Sequence, residues 1–146
     1  MDERPAKLYY TFEMFAEDVE LIANTVRRRE QERALRFRQI YTPFNGGAVL
    51  AACLAYRLSD PEQDGHKVKI MRDTPSSFDP EILVVDDIAD TGKTLQDFHG
   101  LGFYIATIFK HPQSSFEPSL WVRAKGDAWV EFWWEAQDLL INHQRI

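Results

Sequence analysis

Residues 82–85 read Ile-Leu-Val-Val and run straight into Asp86-Asp87, with a third acid at Asp90 and then Thr91-Gly92-Lys93-Thr94. A continuous β-branched run of this kind suits a strand covered on both faces, as in parallel sheets packed between helices. Its sudden end in carboxylates is what such a strand looks like where it emerges at its carboxyl end. That single stretch points to an α/β chain, and the remaining elements fit a doubly wound, mainly parallel sheet flanked by helices.

Phe12, Phe15, Val19, Ile22 and Val26 recur at helical spacing behind Thr11, a ready N-cap, so a first helix starts there. It runs into Arg27, Arg28, Arg29, Arg33, Arg36 and Arg38, interrupted by acids, which reads as a solvated helix end with an anion or partner surface as the alternative. Phe37 to Tyr41 reads as a short strand. Pro43 to Gly47 is a turn opening a small-residue helix from Ala48 to Leu58, which makes a βα unit. After a polar loop, Ser59 to Gly65, a strand is expected around Val68, Ile70 and Met71, followed by a turn from Asp73 to Pro80. Beyond the acids, a short helical piece begins near Thr94. Strands are expected at Phe103 to Phe109 and Trp129 to Phe132, with a last helix from about Trp134 to Ile141.

A length of 146 residues fits one domain, 1–146, and no repeat or linker divides it. The formal charge of −6 argues against a protein that neutralises a phosphate backbone, so no nucleic-acid partner is expected. Cys53 is the single cysteine, and the charged opening lacks the apolar stretch of a signal peptide. The longest apolar run, Ala48 to Tyr56, is about half of a membrane span. No membrane partner and a cytoplasmic setting are the expectations. His66, His99, His111 and His143 show no ligand spacing, so surface or capping roles are expected of them.

In open α/β sheets ligands bind at the carboxyl ends of strands. Three carboxylates within five residues repel one another, and a magnesium ion or ribose hydroxyls would relieve the repulsion. Thr91-Gly92-Lys93-Thr94 offers a glycine, two hydroxyls and backbone N–H groups, a cradle for a phosphate. The Gly-Lys-Thr triplet is not a nucleotide-triphosphate P-loop, because the glycine required five positions earlier is Asp87. One ligand carrying both a sugar and a phosphate fits the two halves.

Val84 to Leu95, VVDDIADTGKTL, resembles the phosphoribosyl-pyrophosphate signature of the type I phosphoribosyltransferases. Tyr9-Tyr10-Thr11-Phe12, Gly46-Gly47, Ala106 to Lys110 and Trp129 to Glu135 extend the resemblance to the compact purine (hypoxanthine, guanine or xanthine) phosphoribosyltransferases along most of the chain. The resemblance implies transfer of a phosphoribosyl group to a 6-oxopurine with release of pyrophosphate. It also implies a small C-terminal hood over the base and dependence on Mg2+. Residue by residue, it places Asp86 and Asp87 on the ribose and metal and makes Asp90 the general base. Thr91, Gly92, Lys93 and Thr94 fall on the 5′-phosphate, and Asn45, Gly46 and Gly47 in the pyrophosphate loop. Lys110 falls against the exocyclic oxygen, Trp129 stacks on the base, the main chain of Val130 reads its edge, and Glu135 is a further candidate near the metal.

The chain departs from the family pattern in three places. Asn45, after Phe44, stands where a basic residue normally precedes Gly-Gly, so one charge contact to pyrophosphate is missing. Met71 to Ile82 is too short for the long closing loop of many members, and Trp133 replaces the proline usual before the final Trp-Glu pair. The rival reading keeps the scaffold and drops the turnover: a non-catalytic protein that senses a purine nucleotide or phosphoribosyl pyrophosphate. A homo-oligomer, as a dimer, is expected, since so small a sheet with so many rings would bury some of them against a partner.

Overall fold

The computed structural model describes residues 6–43 and 45–135. Along the chain these form β1 (Lys7–Tyr10), α1 (Phe12–Arg33), β2 (Gln39–Tyr41), α2 (Ala48–Leu58), β3 (Lys69–Ile70), β4 (Ile82–Ala89), α3 (Gln96–Leu101), β5 (Tyr104–Lys110), β6 (Leu120–Ala124) and β7 (Trp129–Phe132). Single 3-10 turns occupy Asn45–Gly47 and Trp133–Glu135.

Helix α1 starts where the hydroxyl of Thr11 accepts the Met14 N–H at 3.2 Å. Phe15, Val19, Ile22 and Val26 are buried as the periodicity predicts, while Phe12, the first of the stripe, is exposed. The helix ends at Ala34, a left-handed residue at φ 52° whose N–H returns to Gln31. Within its last turns Arg29 lies over the Tyr104 ring, and beyond it Arg36 pairs with Asp64 and Arg38 reaches Glu81 at 2.9 Å. This agrees with the solvated-face reading of the cluster.

The main sheet has five parallel strands in the order β3-β2-β4-β5-β6. Alternation along β4 explains its unbroken apolar run. Leu83 and Val85 face the core under α1 and α2, with Ile22, Val26, Leu50 and Leu54. Ile82 and Val84 face a second cluster with Tyr41, Leu95, Phe98 and Ile105. Connections run from β2 to one side and from β4 to the other, so the switch in winding direction lies between β2 and β4.

Four features differ from the sequence expectation. Strand β4 does not stop at Asp86-Asp87 but continues to Ala89, because Asp86 and Ile88 keep their pairing with Thr107 and Phe109 of β5. Strand β6 was not anticipated, nor was β1, which pairs in parallel with β7. The hood is therefore made by both ends of the described chain rather than by the C-terminal end alone. The expected last helix begins as the Trp133–Glu135 turn, and its remainder, 136–141, lies outside the described residues.

Candidate functional site at the strand switch

The carboxyl ends of β2 and β4 meet two loops. The turn Asn45–Gly47 after β2 presses on the acid pair of β4. A methyl group at Gly46 would sit 2.5 Å from Asp87 Oδ2, and one at Gly47 would strike the Thr42 hydroxyl and come within 3.0 Å of the Asp86 Cα. Only glycine allows that approach. Asp86 is 5% exposed, and its Oδ1 accepts the Asp87 N–H at 2.8 Å. Asp87 is half-buried, and its Oδ1 in turn accepts the Ile88 N–H at 2.8 Å. Burial and then the neighbouring Asp87 charge push the Asp86 carboxyl up to about 8.

A hard cation suits this donor set, since a buried carboxylate with a second one beside it gains most from a positive charge. Among the described residues no three carboxylate, imidazole or thiol groups form a cage that would hold an ion alone. That is the usual condition of Mg2+, which takes one or two carboxylates and completes its shell with water and substrate oxygens.

After β4 the chain turns through Asp90, Thr91 and Gly92. Gly92 adopts φ +85°, and a Cβ there would lie 2.7 Å from the Ser115 N. Thr91 Oγ1 accepts the Lys93 N–H at 3.3 Å, Gly92 O accepts from Gln96, and the Ser115 N–H closes on Thr91 O at 2.9 Å. Thr91, Lys93 and Thr94 are exposed. Lys110 ends β5 in register with Ala89, so it stands beside Asp90 on the next strand. Its side chain is 22% exposed, with its ammonium over the Trp121 ring at 5.5 Å and 4.0 Å from Glu117.

In the hood, Trp129 is 63% exposed and opposite Lys7, whereas Val130 is buried in the core, so only its main chain is offered to a ligand. The Glu135 carboxyl is raised by burial and then by the charges of Asp87 and Glu131. Glu135 thus lies within electrostatic reach of Asp87.

No family model matches the sequence, and no curated protein does. The purine phosphoribosyltransferase of Pyrococcus horikoshii superposes with a TM-score of 0.68 over 89% of this chain and 94% of its own, at 21% identity. The chain has the fold of the type I phosphoribosyltransferases. The xanthine-guanine-hypoxanthine phosphoribosyltransferase of Helicobacter pylori is similar at TM-score 0.66 and 24% identity, over 96% of this chain and 99% of its own. A hypothetical protein of Neisseria gonorrhoeae with bound ppGpp is similar at TM-score 0.61 and 16% identity, over 99% of this chain and 97% of its own.

On this phosphoribosyltransferase fold the predicted Asp86, Asp87, Asp90, the Thr91 to Thr94 loop, Gly46, Gly47 and Lys110 gather at one edge of the sheet. Trp129 belongs to the separate two-stranded hood. One residue at this edge escaped the sequence reading: Gln113, whose side-chain amide bonds Asp90, carries no motif.

Proposed function

We propose that the protein transfers a phosphoribosyl group from phosphoribosyl pyrophosphate to a 6-oxopurine base, giving the nucleoside monophosphate and pyrophosphate. The observation that carries this reading is the seating of Gly46 and Gly47 directly against Asp86 and Asp87 at the strand switch. The loop that would take pyrophosphate and the acids that would hold the ribose there share one ligand. The adjacent Thr91 to Thr94 turn takes the 5′-phosphate through its backbone N–H groups and hydroxyls.

Asp86 and Asp87 would hold Mg2+, which when bound neutralises pyrophosphate charge and orients the donor. Asp90 accepts the proton of the purine imidazole nitrogen as that nitrogen bonds to the anomeric carbon and the bond to pyrophosphate breaks. The carboxylates nearby stabilise the positive charge that develops on the ribose. Lys110 donates to the exocyclic oxygen and so favours oxopurines over adenine. Trp129 stacks on the base, and Glu135 is a further acid for the metal. The chain pairs as a homodimer, for which the apolar face of Phe12, Ala52 and the 86%-exposed Tyr56 is the contact.

The test is a spectrophotometric assay with phosphoribosyl pyrophosphate, Mg2+ and each of hypoxanthine, guanine and xanthine. Absence of nucleotide with every base rejects the proposal. One observation favours the rival: the Neisseria protein that binds ppGpp shares the fold over nearly both full lengths. Asn45 in place of a basic residue points the same way. Tight calorimetric binding of a guanosine polyphosphate, with a silent transfer assay, would establish a sensor instead.

A further inference from the structure

We propose that Gln113 is a positioning residue that fixes the general base Asp90; this rests on the transferase reading above. Gln113 lies on the loop between β5 and β6, and its Nε2 donates to Asp90 Oδ1 at 2.7 Å. The loop does not need that bond to hold its place. The His111 N–H is bonded to Ala89 O at 2.9 Å, and the Ser114 N–H to His111 O at 3.0 Å. The Ser115 N–H closes on Thr91 O, and Ser114 Oγ donates to Phe116 O at 2.7 Å. Phe116 is buried, with its ring against His99. At Gln113 itself the backbone N–H is taken by His111 Nδ1 at 3.0 Å, which aims the side chain.

An exposed glutamine loses much rotamer freedom when its amide is held, and here that ordering serves a single carboxylate. Asp90 is exposed, and among the described residues Gln113 is the side chain that bonds its carboxylate. A carboxylate on a free rotor points at a purine nitrogen only part of the time. With Oδ1 held by the amide, Oδ2 turns to the imidazole nitrogen and receives its proton. The choice of an amide matters chemically. It donates one hydrogen bond without adding a positive charge, so the base is oriented without being ion-paired. The same loop starts at Lys110, so the group that reads the exocyclic oxygen and the group that aims the proton acceptor share one short piece of backbone.

The test combines kinetics with NMR on the full chain. Gln113→Leu should lower kcat about 10–100-fold, the cost of a misaimed catalytic group. The KM for phosphoribosyl pyrophosphate and the melting temperature should stay unchanged. Added to Asp90→Asn, the same substitution should have no further effect, because its target is gone. Gln113→Glu, which cannot donate when ionised, should fall at least as far as Gln113→Leu. Independently of turnover, the side-chain amide signals of Gln113 should shift in Asp90→Asn. Unmoved amide signals, an unchanged kcat, or losses that multiply in the double variant would each overturn the positioning role. If the unaltered protein forms no nucleotide while the amide signals do shift, the transferase reading fails, and the tether loses the reaction it was proposed to serve.

Discussion

Arg123 of β6 grips the carboxylate of Asp18 on α1 with two nitrogens, Nε at 2.6 Å and Nη2 at 3.2 Å. The Tyr10 hydroxyl donates to the same Asp18 Oδ2 at 2.6 Å, so one buried carboxylate joins the hood, the first helix and the edge of the main sheet. Asp18→Ala should therefore destabilise the protein by about 2–3 kcal/mol, read by urea unfolding, since it strands a phenol and a guanidinium together. The phenol of Tyr10 is pushed above its ordinary value of 10.0 by burial and by Asp18. The native state then keeps a proton that the unfolded chain releases, so stability falls as pH rises past that value. Tyr10→Phe should remove this alkaline slope at a cost of about 1 kcal/mol at neutral pH.

Glu30 accepts the Phe37 N–H at 2.8 Å from a buried position at the end of α1, and burial raises its carboxyl above 4.5. A raised acid is more protonated in the native than in the unfolded state, so its contribution to stability declines as pH climbs from about that value through the native one. Glu30→Gln keeps an acceptor without the charge and should flatten that decline. Glu30→Ala should cost about 1–3 kcal/mol by leaving the Phe37 N–H unpaired. Denaturation midpoints measured from pH 4 to 8 check both expectations.

At the candidate centre, Asp90→Asn should reduce turnover about 10²–10⁴-fold with an unchanged circular dichroism spectrum. Gly47→Ala should act differently. Its methyl group has no room beside Asp86, so both stability and turnover should fall, the former by about 1–3 kcal/mol.

Chelation should silence transfer and Mg2+ should restore it. Asp87→Asn should raise the Mg2+ concentration needed for half-maximal rate, read from a titration of the assay. An equal requirement in the variant would remove Asp87 from the metal.

Tyr56→Glu places a charge on the exposed apolar face beside Ala52 and Cys53. Sedimentation should show the unaltered protein as a dimer and this variant as a monomer.

The acid strand end and the turn at Thr91 to Thr94 were legible because their residue types are forced locally. An apolar run buried on both faces can be read from four residues, and a tight turn announces itself by Gly92. Strand β1 was not legible, for three of its four residues are exposed and its partner lies at the other end of the described chain. Strand β6 sits at the sheet edge with no fully buried residue, so no alternation marked it. The bond between Gln113 and Asp90 joins two loops, a relation no single-segment pattern contains.

The parallel pairing of Lys7 to Tyr10 with Trp129 to Phe132 carries a consequence for the order of assembly. The strand at residues 7–10 waits for one made more than a hundred residues later before either can pair. Closing so long a loop is slow compared with local folding. The phosphate loop and acid pair can thus be in place on a nascent sheet while the surface that carries Trp129 is still unformed. In a ribosome-stalled chain ending before residue 129, donor binding should precede any ability to hold a purine.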